Sequence, residues 1–62
     1  MTPHELYQWR LQAQLTQLSL SALLGVHVIT LSRWERGESP IPPYLDMALW
    51  ALEHGYEPAP TA

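Results

Sequence analysis

Gly25 is the residue that most constrains this chain, because helix signals crowd it from both sides. On its amino-terminal side, Thr16 is placed to cap a helix on which Leu20 and Leu24 share one face. On the other side, His27 is placed to cap a second helix only two residues after Gly25. So short a gap excludes a loop and demands a tight turn, which needs a residue free to take positive φ. Leu15 with Leu20, and Val26 with Leu31, stand at the spacing of hydrophobic staples. Leu20, Leu24, Val26, Leu31 and Trp34 then face inward, and Ser21 is the small residue where the helices cross closely. Val28, Ile29, Ser32, Arg33 and Arg36 point elsewhere. Two short helices joined in this way form a helix-turn-helix, here over about residues 17–36.

The flanking segments carry their own start and stop signals. Thr2-Pro3-His4-Glu5 reads as a capping box with proline at the first helical position. Leu6, Trp9 and Ala13 follow on one apolar face, and this first helix fades near Gln14. Gly37 ends the third helix. Glu38-Ser39-Pro40-Ile41-Pro42-Pro43 is an extended connector, since a residue before proline is pushed out of the helical region. Pro42 or Pro43 can open a fourth helix that runs to about Glu53, with Gly55 as terminator. The expectation is a small all-α fold of four to five helices. Residues 1–56 form one domain, and residues 57–62, with Pro58 and Pro60, form a flexible tail.

Sixty-two residues support one thin core, and cysteine is absent, so disulfides and thiolate zinc sites are excluded. Oligomerisation is the remaining route to extra stability. His4, His27 and His54 lack metal-ligand spacing and lie in separate elements. Nothing brings a nucleophile, a histidine and an acid together, and the chain is too small for a deep pocket. No enzyme, no cofactor, no metal and no small-molecule ligand is expected. Membrane-spanning and secretory stretches are missing, so the expected location is cytoplasmic, with no membrane partner.

Charge at first argues against nucleic acid. Three arginines face six acids with no lysine, for a net charge of −3. The distribution is polarised, however: all three arginines lie within residues 10–36, and residues 37–62 carry four acids and no cation.

At this point the residues resemble a known family, the lambda-repressor-like, Cro-type helix-turn-helix regulators of phages and bacteria. Leu15-Thr16-Gln17, Leu24-Gly25-Val26 and Thr30-Leu31-Ser32-Arg33-Trp34-Glu35-Arg36-Gly37 look like its signature in phase and without a gap. Thr2-Pro3, Glu5-Leu6, Arg10 and Ile41-Pro42 extend the likeness over nearly the whole chain. Three positions depart from it. Ser21 replaces the usual alanine, His27 the usual serine, and Gln14 the glycine that often closes helix 1.

The resemblance implies that Gln17, His27 and Arg36 contact DNA phosphates, and that Val28, Ile29, Ser32 and Arg33 enter the major groove. It also implies a structural ion pair between Arg10 and Glu35. The side-chain chemistry agrees in part. Arg33 can present two donors to guanine O6 and N7, and Val28 or Ile29 can pack on a thymine methyl. The rival for the two arginines is a solvated helix end favoured by the dipole. For Val28 and Ile29 the rival is a protein-binding surface.

On a helical wheel of about 100° per residue, Leu45, Ala48, Leu49 and Leu52 share the core-facing arc of helix 4. Tyr44, Met47, Trp50 and Ala51 form a second apolar arc, which predicts a homodimer interface. The expected function is a dimeric repressor on an inverted-repeat, double-stranded DNA operator. It would be of phage, prophage or mobile-element type and often autoregulatory, such as an anti-CRISPR-associated regulator. The alternatives are the antitoxin of a toxin–antitoxin pair and a protein-interaction module that kept the fold without binding DNA.

Overall fold

The computed structural model of the chain describes residues 1–55. Four helices follow one another: α1 (Pro3–Gln12), α2 (Gln17–Leu24), α3 (Val28–Glu35) and α4 (Leu45–Glu53). No strand occurs among the described residues. The expected tail at 57–62, and the domain edge at Tyr56, lie outside them.

Each of the first three helices starts where a side chain satisfies its exposed amides. Thr2 Oγ1 accepts from the Glu5 N–H at 3.1 Å, and Glu5 Oε1 accepts from the Thr2 N–H at 2.8 Å. This is the reciprocal capping box, with Pro3 as first helical residue. Thr16 Oγ1 accepts from the Ser19 N–H at 3.0 Å and caps α2. His27 caps α3 with its ring, as Nδ1 accepts from the Ile29 N–H at 3.1 Å. The ends are equally local. Gly25 sits at φ 74°, and the Val26 N–H reaches back to the Ser21 carbonyl at 3.0 Å. A Cβ at Gly25 would meet nothing within 4 Å, so the requirement there is backbone conformation, not space.

Two boundaries differ from the sequence reading. Ala13 does not join Leu6 and Trp9 on a buried face; it is exposed, because α1 stops at Gln12 and Ala13 is its cap residue. Helix 4 begins at Leu45, not at Pro42 or Pro43. The Leu45 N–H bonds the Pro42 carbonyl at 3.1 Å in a tight turn, and the α-helical ladder starts only with Ala48 to Tyr44 at 3.0 Å. Pro42 and Pro43 therefore lie in the turn ahead of the helix, where Pro42 contributes its carbonyl as acceptor.

Leu6, Leu20, Leu31, Trp34, Leu45 and Leu49 form the core, one or two from each helix. Trp9, Leu15, Leu24, Val26, Ile41, Ala48 and Leu52 pack around it, half-buried. Burying one such leucine contributes about 1.5–3 kcal/mol. Ser21 is also buried, and its hydroxyl donates to the Leu18 carbonyl at 2.8 Å, so the departure from alanine leaves no orphaned polar atom. α3 packs on both α2 and α1, which fixes its outer face relative to the rest of the domain.

Gln14 is the one non-glycine residue with positive φ among the described residues, at 60°. A Cβ in that region costs roughly 1–2 kcal/mol. Part of this returns as unfolded-chain entropy when glycine is substituted. Gln14→Gly should therefore raise stability by about 0.5–1 kcal/mol, read as a higher melting temperature by circular dichroism. A lower melting temperature would show that the Gln14 conformation is unstrained.

Candidate nucleic-acid interface

The inward positions of α3 are Leu31 and Trp34, both buried. Its other face carries Ile29 and Arg33, both exposed and four residues apart, flanked by the partly exposed Val28 and Ser32. His27 is exposed at the start of this face and Arg36 at its end. The side chains expected at base edges thus lie together on one surface. His27 uses Nδ1 for the cap, so that nitrogen is an acceptor, and the Nε2–H is the donor left for another group.

The three arginines divide by environment. Arg10 is only 11% exposed and Glu35 only 5%. Arg10 Nε donates to Glu35 Oε2 at 2.7 Å, and Nη2 donates to Oε1 at 3.0 Å, a two-pronged pair joining α1 to α3. Nη1 donates to the Leu15 carbonyl at 3.1 Å, which ties down the α1–α2 connection as well. The hydrogen bond to Glu35 raises the Arg10 pKa above its ordinary value, against the opposing effect of burial. Arg36 lies 3.3 Å from Glu38, an ion pair with both side chains about half exposed and therefore of small worth. Arg33 has no carboxylate partner among the described residues.

Gln17, first residue of α2, is half-buried, and its Nε2 donates to Glu35 Oε1 at 3.0 Å. Sequence reasoning missed this bond. Its only trace in the chain is that Gln17 opens one helix of the motif while Glu35 closes the other. The Arg36–Glu38 pair was missed too, although its i, i+2 spacing across the turn at Gly37 could have suggested it.

On α4 the core-facing arc is Leu45 and Leu49, with Ala48 and Leu52 beside them. Tyr44, Met47 and Trp50 are 62%, 73% and 59% exposed, and Ala51 is half-buried. His54 stacks on Trp50 with ring centroids 4.2 Å apart, and its Nδ1–H donates to the Trp50 carbonyl at 2.8 Å. The outer face of α4 is therefore an aromatic and apolar surface one side of which is already ordered.

A groove of about 610 Å³ between α1 and the end of α4 is lined by Trp9, Leu15, Leu23 and Leu52, away from the outer residues of α3. No group of three histidines, cysteines or acids that could hold a metal occurs among the described residues. No described helix is long and apolar enough to cross a membrane.

A helix-turn-helix family model matches residues 6–45, from the first core leucine of α1 to the first residue of α4. No curated protein and no solved structure matches the chain.

The buried ion pair makes a direct expectation for stability. Arg10→Met strands the Glu35 carboxylate in a nearly dry position, with Gln17 as its remaining side-chain partner. The loss should be about 3–5 kcal/mol, a large part of what a domain this small possesses. Urea denaturation followed by tryptophan fluorescence would measure it, and a loss below about 1 kcal/mol would mean that water reaches Glu35 freely.

Proposed function

Because the chain belongs to the lambda-repressor-like helix-turn-helix family of DNA-binding regulators, we propose that it is a sequence-specific repressor that seats α3 in the major groove of an inverted-repeat operator. Arg33 carries this reading. It is an exposed cation on the outer face of α3, without a carboxylate partner among the described residues, while Arg10 and Arg36 are both engaged. Its guanidinium can bond guanine O6 and N7 together. Ile29 and Val28 would pack on thymine methyls, and Ser32 would add one hydrogen bond. Gln17, His27 through its Nε2–H, and Arg36 would contact phosphates, the last by exchanging Glu38 for DNA.

One recognition helix with one strong base reader is too little to define a site in a genome. A two-fold pair doubles the contacts and makes the second engagement intramolecular. Tyr44, Met47 and Trp50 on α4, with Ala51 at their edge, are the surface proposed for that pairing. Symmetry then places the half-site centres about 34 Å apart on one face of the duplex. In this reading the protein represses by occupying the operator, and control of its own promoter, in a phage or mobile element, fits that role.

Two substitutions separate base reading from backbone contact. Arg33→Ala should cost about 1–3 kcal/mol and relax preference at one position per half-site, in selection from random DNA. Arg36→Ala should weaken all sequences about equally. An unchanged selected sequence for Arg33→Ala would remove Arg33 as reader. The dimer is tested by sedimentation equilibrium with circular dichroism. The parent should be dimeric at micromolar concentration, and Trp50→Glu should be a folded monomer that no longer holds the operator. A monomeric parent would sink the two-fold arrangement.

A further inference from the structure

Glu35 is held deep enough to be only 5% exposed, and Arg10 neutralises it with two hydrogen bonds. That pair would be complete without Gln17. Yet the Gln17 amide is drawn to the same carboxylate, sharing Oε1 with Arg10 Nη2 at 3.0 Å each. The Gln17 amide nitrogen carries two hydrogens. One is bonded to Glu35, and the other meets no partner among the described residues. Because the amide group is planar, fixing one N–H fixes the direction of the other. We infer that Glu35 is a positioning residue for DNA binding: it orients the Gln17 side chain so that the second N–H is aimed before DNA arrives. A free glutamine side chain would lose rotamer entropy on engaging a phosphate. Here the folded domain has already ordered it, and the contact forms without that loss.

The inference rests on the proposed role of Gln17 at a phosphate, so its test must distinguish the two. Replacing both members of a buried ion pair by apolar residues of similar size is often neutral for folding. Arg10→Met/Glu35→Leu therefore removes the anchor while keeping the domain. Four chains are compared on a duplex selected by the parent from a random-sequence pool: parent, Gln17→Ala, the double variant and the triple variant. Stability is followed in parallel by urea denaturation. Gln17→Ala should weaken binding about three- to tenfold per subunit. The double variant should lose the same factor while remaining folded, and the triple variant should lose no more. Parent-like affinity in the double variant, or losses that multiply in the triple, would overturn the inference. A Gln17→Ala chain that binds like the parent would instead overturn the phosphate role of Gln17.

A second measurement needs neither DNA nor a folded variant. In the free parent, the Gln17 side-chain amide proton bonded to Glu35 should exchange with solvent markedly more slowly than those of the exposed Gln8, Gln12 and Gln14. Exchange at the same rate would show that Glu35 does not hold the amide, and would end the inference.

Discussion

The Glu35 carboxylate is the point at which three of the four helices are tied together. It stands at the last residue of α3, accepts two bonds from Arg10 on α1, and accepts a third from Gln17 at the first residue of α2. A carboxylate offers about four acceptor positions, and three of them are used. Apolar packing of Leu6, Leu20 and Leu31 brings these helices together, but packing alone is non-directional. The hydrogen-bonded network adds direction. It sets how α2 and α3, whose ends face a common side, are turned relative to α1. Removing one member of such a buried pair costs much because it strands the other charge, whereas replacing both by apolar residues is often neutral.

Much of the fold was legible because its signals are local. Thr2, Thr16 and His27 cap helices within three residues of themselves, and Gly25 ends α2 by a backbone preference that needs no tertiary contact. The core also followed from spacing, since Leu20, Leu31, Trp34, Leu45 and Leu49 lie on the apolar faces that periodicity defines. What failed was of another kind. The start of α4 depends on whether the turn after Pro42 closes by a three-residue or a four-residue bond, and prolines permit both. The Gln17–Glu35 bond depends on how two helix ends approach across 18 positions of sequence, which no local pattern encodes. For the outer residues of α3, the family resemblance supplied roles, whereas the chain's own chemistry supplied only the donors and methyl groups that could fill them.

Two of the three arginines lie against acids, Arg10 on Glu35 and Arg36 on Glu38, while Arg33 has no carboxylate partner among the described residues. Asp46 and Glu53 lie on α4, and the amino-terminal amine sits 3.9 Å from Asp46, where it offsets one of those charges. Arg33 and the start of α3 stand apart from them in the chain. A domain of net charge −3 can present one locally favourable edge where an exposed cation stands without a carboxylate partner, as Arg33 does among the described residues.

The engagement of Arg10 by Glu35 also bears on how such a regulator searches. Affinity for DNA of any sequence comes almost wholly from neutralised phosphates. With Arg10 buried in an ion pair, at most two arginines per chain remain for that affinity. For the DNA binder proposed above, bulk chromosome would then make a poor reservoir, and most molecules would stay free in solution, not parked on irrelevant sequence. Such molecules would travel by three-dimensional diffusion more than by sliding. Occupancy of the proposed operator would then follow the number of molecules in the cell closely, a property that would suit the proposed control of its own promoter.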